Sequence, residues 1–177
     1  MKRLYMIGGP MGVGKTAACR QLQQLLDRSV FLDGDWCWNI HPFQVTEETK
    51  ALVLDNICYL LNRFLRCSLV ESVIFCWVMD LQSTLDEILS RLDTSDCTVK
   101  SISLVCHPEV LLKRLQKDVD EGLLEPDILE RAPARLSRYG ALDTVKLDVS
   151  ASTPQEVAMQ IAAQQTGCAM MGGRDSP

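Results

Sequence analysis

The chain has 177 residues, of which 47% are hydrophobic and 23% are charged, and its formal net charge is −5 at pH 7. This length favours one domain with a full hydrophobic core. The acidic balance excludes a general attraction to nucleic acid or to an anionic membrane. No apolar run is long enough to span a membrane, and the short apolar run after Met1-Lys2-Arg3 predicts no signal peptide.

Strand and helix patterns alternate along the chain. Buried apolar runs predict strands at 4–7, 29–35, 72–79, 99–106 and 143–150. Helical spacing predicts helices at 16–26, 46–64, 81–92, 107 onward and 153–164. This alternation predicts an α/β fold of three layers (α/β/α), in which helices cover both faces of a five-stranded parallel sheet. We expect a single domain over residues 1–166 and a disordered tail over residues 167–177.

The eight cysteines lie mainly in apolar segments, such as Cys58 in DNICYLL and Cys76 in VIFCWVM. No C-x-x-C pair occurs and the chain has two histidines, so a zinc cage is not expected. We interpret the cysteines as small buried hydrophobic side chains in a reducing compartment, which predicts a cytoplasmic protein.

A glycine-rich loop joins the first strand to the first helix, and its sequence GPMGVGKT fits G-x-x-x-x-G-K-[ST] in full. Glycines let the backbone N–H groups turn inward onto phosphate oxygens, and the following helix directs its positive end at them. Lysine neutralises the β and γ phosphates, and the threonine hydroxyl binds Mg²⁺. We therefore predict ATP and Mg²⁺ as cofactors. The predicted nucleotide-binding residues are Gly9, Pro10, Met11, Gly12, Val13, Gly14, Lys15 and Thr16.

Other nucleotide-binding classes fit the sequence less well. The guanine-reading N-K-x-D of GTPases is absent, and VKLD at residues 145–148 lacks the asparagine. A mechanical ATPase needs additional length for its sensor and partner-contact regions. The sequence therefore favours a small phosphotransferase.

Two acids, Asp33 and Asp35, follow the second strand in FLDGDWCW. The carboxyl ends of parallel strands form one rim, so this pair is expected beside the glycine-rich loop. We assign Asp33, with Thr16, to the magnesium site. We assign Asp35 to the acceptor hydroxyl that attacks the γ phosphate. A solvated turn is the alternative interpretation of this pair.

The loop and the acid pair together resemble small P-loop kinases of the shikimate, gluconate and adenylylsulfate kinase group. The resemblance implies strand order 2-3-1-4-5, a mobile helical lid, and a D-x-D pair that serves magnesium and the acceptor hydroxyl. Shikimate kinases carry a glycine triplet after the third strand, where this chain has Trp77-Val78-Met79-Asp80, so its acceptor pocket should differ. Asp80 either holds a magnesium-bound water or caps the next helix.

The resemblance also implies that arginines of the lid close over the phosphates. We place this lid segment at residues 118–139. The predicted catalytic residues are Lys15, Asp35, Arg131 and Arg135, and Lys15 and Arg114 are also predicted to bind the nucleotide. Arg131, Arg135 and Arg138 share a helix face only if the helix continues through Pro133, which is expected to interrupt it. Asp127 is placed to pair with Arg131 four residues on. An ordinary solvated helix surface is the alternative for each arginine.

The acceptor side is predicted around WCWNIHPFQ and the following helix, with Asp35, Trp36 and Asn56 as binding residues. Aromatic surface suits a ring, although core packing also explains tryptophans. The predicted function is ATP-dependent phosphoryl transfer to a small hydroxyl- or phosphate-bearing acceptor, foremost a nucleoside or nucleotide. Alternatives are an antibiotic- or sugar-modifying kinase and an ATP-hydrolysing switch protein. We expect no nucleic-acid or membrane partner, and a monomer or homodimer.

Overall fold

The structure, a computed structural model, describes residues 1–164. Five parallel strands form one sheet in the order β2-β3-β1-β4-β5. The strands are β1 (Lys2–Gly8), β2 (Ser29–Asp33), β3 (Ser72–Trp77), β4 (Cys97–Val105) and β5 (Val145–Asp148). Helices flank the sheet, so the predicted three-layer fold and its strand order are confirmed. The tail at 167–177 lies outside the described residues.

Within residues 1–164, six α-helices connect or follow the strands. They are α1 (Lys15–Leu25), α2 (Glu47–Arg66), α3 (Gln82–Ser90), α4 (Pro108–Asp120), α5 (Ile128–Leu136) and α6 (Pro154–Ala163). Short 3₁₀ segments occupy Gly34–Trp38 and Ser137–Ala141. Thr46 and Thr153 each complete a capping box, which fixes where α2 and α6 begin. None of the described helices is both long and apolar enough to cross a bilayer.

The sheet separates two hydrophobic cores. Alternate side chains of β1 enter opposite cores: Tyr5 and Ile7 pack with α1, α4, α5 and α6, whereas Leu4 and Met6 pack with α2 and α3. All four are essentially inaccessible to solvent. A parallel strand covered on both faces reads as a continuous apolar run, which is why this strand was recognisable from sequence.

The interruption expected at Pro133 was wrong, and two other local features differ from expectation in detail. Helix α5 continues through Pro133, because burial of Ile128 and Ala132 holds the helix in place despite the missing backbone N–H. The second strand ends at Asp33 rather than at residue 35, because the Asp33 carboxylate accepts a hydrogen bond from the Asp35 backbone and starts a 3₁₀ turn. Among the cysteines of residues 1–164, Cys67 is exposed and Cys37 and Cys97 are partly buried, whereas Cys19, Cys58, Cys76 and Cys106 are buried as expected.

Candidate active site

The glycine-rich loop lies between β1 and α1 and packs against α4. Gly12 has φ +79°, and a Cβ there would lie 2.6 Å from Leu115 Cδ2. Glycine is therefore required at this position both by the backbone conformation and by the close approach of α4. Gly14, at φ +103°, supplies the cap from which α1 begins. The loop thus presents the amino end of α1 on the rim of the sheet, as phosphate binding requires.

Lys15 lies over the loop from the first turn of α1. Its Nζ donates a hydrogen bond to the Pro10 carbonyl at 2.9 Å. Burial lowers the pKa of Lys15, and the neighbouring Asp35 and Asp33 carboxylates partly oppose that shift. The amine is therefore a desolvated cation next to the loop, where a bound phosphate would stabilise its charged form.

Thr16 and Asp33 meet at the same rim. Thr16 Oγ1 donates to Asp33 Oδ2 at 2.7 Å, and Asp33 Oδ1 accepts from the Asp35 backbone N–H at 3.1 Å. Asp33 is buried, so these contacts fix its carboxylate. Hydroxyl and carboxylate oxygens are hard ligands of the kind that Mg²⁺ prefers, and a few protein oxygens suffice because Mg²⁺ keeps most of its waters. The donor set fits the predicted ion.

Asp35 follows in the 3₁₀ segment and is exposed at the rim. Partial desolvation of its carboxyl raises the pKa, the nearby Asp33 charge raises it further, and Lys15 opposes both effects. Gly34 separates the two acids, and a Cβ on Gly34 would lie 2.5 Å from Trp77 Cγ. The absence of a side chain at Gly34 lets the indole of Trp77 pack under the turn that carries both acids.

An open aromatic cavity of about 560 Å³ lies beside Asp35. Its walls are Met11, Asp35, Trp36, Trp38, Asn39 and Phe43. The Trp38 ring centroid lies 5.9 Å from that of Phe43 and 6.2 Å from that of Trp77. The predicted residues Asp35 and Trp36 thus line one cavity, whereas Asn56 lies on an exposed part of α2 and is not among its walls.

A second cavity, of about 190 Å³, is lined by other residues of the loop than the aromatic cavity. Arg114 of α4 crosses its edge and donates to the Val13 carbonyl at 3.1 Å and to the Val149 carbonyl at 3.0 Å. Val13, Gly14, Val149 and Ser152 are among its walls. The structure therefore places Arg114 beside the glycine-rich loop, as expected, and adds the chain after β5 to the site.

The lid arginines pair with carboxylates in this structure. Arg138 Nη1 lies 2.8 Å from Asp80 Oδ2, and Arg135 Nε lies 3.8 Å from the same oxygen. Arg131 Nε lies 2.9 Å from Asp127 Oδ2, which confirms the predicted pair four residues apart. Arg131 and Arg135 also line a small cavity of about 50 Å³ next to Met11 of the loop. Asp80 therefore connects the end of β3 to the lid segment.

A family model described as an AAA domain matches residues 6–129, which include the loop, the acid pair and Asp80. The chain belongs to this AAA domain family. Comparison with curated protein sequences gave no match. The family assignment and the strand order agree with the expected resemblance: the chain is a P-loop NTPase with a shikimate- and gluconate-kinase-like fold.

Solved structures show the same fold. The P-loop NTPase is similar to a tunicamycin resistance protein from Deinococcus radiodurans, with 22% identity, TM-score 0.68, and coverage of 93% of this chain and 95% of the other. It is also similar to a gluconokinase from Sinorhizobium meliloti 1021, with 18% identity, TM-score 0.65, and coverage of 89% of this chain and 87% of the gluconokinase. A shikimate kinase from Acinetobacter baumannii in complex with shikimate is similar as well, with 20% identity, TM-score 0.58, and coverage of 92% of this chain and 91% of the shikimate kinase.

Sequence reasoning missed several residues of the P-loop NTPase site. Phe43 was noted only as aromatic surface, and Met11 only as part of the loop motif, yet both line the aromatic cavity. Tyr139 is fully buried, and its ring lies 3.6 Å from the point where a Cβ on Gly8 would be. This side chain therefore packs the lid segment against the start of the loop. Val149 and Ser152 follow β5 on the same rim as the loop, so the strand-end rule could have found them.

Proposed function

We propose that the chain is an ATP-dependent phosphotransferase that moves the γ phosphate of ATP to a hydroxyl of a small acceptor. One observation carries this proposal: Asp35 lines the aromatic cavity, while Asp33, two residues before it, binds Thr16 of the P-loop. A carboxylate thus lies between a phosphate-binding loop and a space large enough for a second substrate.

Residues 9–16 would bind the phosphates of the nucleotide, with Lys15 as the cation beside the transferred group. The cavity next to Arg114 would hold the remaining part of the nucleotide, because it opens on Val13 and Gly14 of the same loop. Lys15 would then exchange its hydrogen bond with the Pro10 carbonyl for one with a phosphate oxygen.

Thr16 and Asp33 would hold Mg²⁺. The ion, when bound, neutralises phosphate charge and helps to orient the phosphates. Thr16 would offer its hydroxyl oxygen to the ion, and Asp33 would add carboxylate charge beside it. Asp33 also positions Asp35 through its hydrogen bond to the Asp35 backbone.

Asp35 would act as the base toward the acceptor. The acceptor oxygen forms a bond to the γ phosphorus, the bond from that phosphorus to the oxygen of the leaving ADP breaks, and the hydroxyl proton goes to the Asp35 carboxylate. The raised pKa of Asp35 makes this carboxylate a better proton acceptor than an ordinary exposed aspartate.

Arg131 and Arg135 would stabilise the charge that develops on the transferred group. They line one small cavity beside Met11 of the loop, and their present partners are Asp127 and Asp80. We place the lid segment at residues 118–139, within a single domain of residues 1–166. Its closure would move Arg131 and Arg135 from carboxylate to phosphate and would exclude water from the site.

A nucleoside or nucleotide is the first candidate acceptor, because Trp36, Trp38 and Phe43 offer aromatic surface to a ring. Asn56 would contribute to acceptor binding only after a movement that brings α2 over the cavity. An antibiotic-modifying kinase is the second candidate, favoured by the similarity to a tunicamycin resistance protein. We propose a monomer or homodimer that acts on small molecules in the cytoplasm, without nucleic-acid or membrane partners.

The test is acceptor-dependent ADP formation across nucleosides, nucleotides, sugars and nucleoside antibiotics, with Mg²⁺ and ATP. We expect ADP formation above the acceptor-free rate with at least one class, and phosphate on that acceptor by mass spectrometry. ATP hydrolysis that no acceptor changes would overturn the proposal and favour a nucleotide-dependent switch.

A further inference from the structure

Among the walls that residues 1–164 give the aromatic cavity, the one ionisable group is the Asp35 carboxylate. The other walls are two indoles, a phenyl ring, a thioether and the neutral amide of Asn39. An acceptor that brings its own carboxylate or phosphate into this space would face a like charge with no cation on the walls to compensate it.

Nearby cations are already engaged by other groups. Lys15 lies over the P-loop, where phosphate would occupy it, and Arg131 pairs with Asp127 at 2.9 Å. Arg138 is held by Asp80, with Arg135 close to the same carboxylate. Within residues 1–164, no lysine or arginine lines the aromatic cavity.

The aromatic walls are exposed and braced from behind. Trp36 is 53% exposed and Phe43 is 67% exposed, so within residues 1–164 a large part of each side chain remains uncovered. Trp36 packs edge-on against Phe31 with ring centroids 5.3 Å apart, and Trp38 packs against both Phe43 and Trp77. Rigid, uncovered aromatic faces gain stability when a planar apolar group packs on them.

We propose that the acceptor is a ring-bearing alcohol without negative charge. Its ring packs on Trp36, Trp38 and Phe43, and its hydroxyl points at Asp35. The cavity rejects acceptors that carry a carboxylate or a phosphate near the reacting hydroxyl, which separates this chain from kinases of sugar acids and of nucleotides. This inference rests on the proposed function and narrows its acceptor class.

The chain provides its own probe, because all three of its tryptophans lie in or against this cavity: Trp36, Trp38 and Trp77. Intrinsic fluorescence is measured in full-length protein saturated with Mg²⁺ and a non-hydrolysable ATP analogue. Two matched pairs are titrated: uridine against uridine 5′-monophosphate, and benzyl alcohol against mandelate. We expect saturable fluorescence changes with the uncharged members. The affinity for each anion should be at least about tenfold lower than that for its uncharged counterpart.

Variants separate ring packing from charge. Trp36→Ala should weaken binding of both uncharged ligands about tenfold, the scale of a lost aromatic contact. Tyr59→Ala, which removes a similarly exposed aromatic of α2 outside the cavity, should not. Asn39→Lys should shift the preference toward the monophosphate. The inference is overturned if the anions bind as tightly as the uncharged ligands, or if neither uncharged ligand binds.

The two proposals fail differently. Calorimetry on the same samples reports binding of the ATP analogue independently of the tryptophans. Analogue binding without any preference for uncharged ring alcohols would overturn only the inference about the acceptor. Loss of analogue binding in the folded protein would overturn the proposed function and, with it, the inference.

Discussion

Thr16 Oγ1 donates a hydrogen bond of 2.7 Å to Asp33 Oδ2 and so joins the first turn of α1 to the end of β2. The two residues are 17 positions apart, yet both lie on the rim formed by the carboxyl ends of the strands. This hydrogen bond aligns the two groups that we assign to Mg²⁺, and it suggests the first test.

Asp33→Asn should weaken Mg²⁺-dependent ATP binding by roughly tenfold or more, the usual scale when a positioning group beside a metal is lost. The amide keeps one acceptor oxygen for Thr16 but removes the negative charge. Calorimetry with ATP, with and without Mg²⁺, measures the effect. Asp96→Asn is the control, because this exposed acid directly precedes β4 at the amino end of the strands, away from the loop. An equal loss of affinity without Mg²⁺ would contradict a metal role.

Lys15→Ala should reduce ATP affinity at least tenfold, because a charge-assisted hydrogen bond to phosphate is lost. The fold should tolerate the change, since Lys15 is a desolvated cation whose lowered pKa shows that the folded site disfavours its charge. Calorimetry and thermal melting on the same sample separate affinity from stability. Equal ATP affinity in the variant would remove the basis for the P-loop assignment.

Asp35→Asn should lower the transfer rate by roughly a hundredfold or more while ATP affinity is retained, because Asn cannot take the hydroxyl proton. In the wild type, activity should fall as pH drops through the raised pKa of Asp35, at a higher pH than for an ordinary aspartate. A folded variant with full turnover would contradict the assignment.

The same variant has a stability signature. Since the pKa of Asp35 is raised in the folded protein, ionised Asp35 costs stability at neutral pH, and this cost disappears below the pKa of an unfolded aspartate. Asp35→Asn should therefore melt above the wild type at pH 7, and the difference should shrink as pH falls. Melting temperatures at a series of pH values test this sign.

Gly34→Ala should destabilise the fold by about 1–3 kcal/mol, the cost of overpacking, because the new Cβ would lie 2.5 Å from Trp77. Gly140→Ala is the matched control, since a Cβ there meets no atom within 4 Å. Urea unfolding of both variants measures the difference. Equal free energies of unfolding for the Gly34→Ala and Gly140→Ala variants would contradict the close packing of Trp77 under the acid pair.

Asp80→Asn should release the lid segment by weakening its ion pairs with Arg135 and Arg138. Amide exchange in the 3₁₀ segment Ser137–Ala141 should become faster in the ligand-free protein. Asp127→Asn, which weakens only the Arg131 pair, serves as the control and should leave that segment unchanged. Unaltered exchange in Asp80→Asn would show that Tyr139 alone anchors the segment.

Sequence predicted those parts of the site that are local in the chain. The loop of residues 9–16 is a contiguous pattern, and Asp33 and Asp35 follow a recognisable strand, so the strand-end rule placed them correctly on the loop's rim. Contacts between distant residues gave no such signal. Nothing in the sequence near Gly34 indicates that Trp77 lies against it, because that contact depends on the pairing of β2 with β3.

The lid shows the same limit more clearly. Arg131 and Arg135 were predicted to reach phosphate, and only the fold reveals that the neighbouring Arg138 is held by an acid 58 positions earlier. The Pro133 expectation was wrong for a related reason: a local helix-breaking tendency was outweighed by burial of Ile128 and Ala132, which depends on tertiary packing.

The position of Asp80 would make the proposed closure of the lid segment an exchange of counter-ions. In that proposed closure, Arg135 and Arg138 would leave Asp80 only for a group that offers more negative charge, so the acid would set a threshold that the bound nucleotide must exceed. ADP carries less negative charge than ATP and competes less well for the arginines. After transfer, we therefore expect the equilibrium to return toward the Asp80 pairs, which would favour reopening and release of the products.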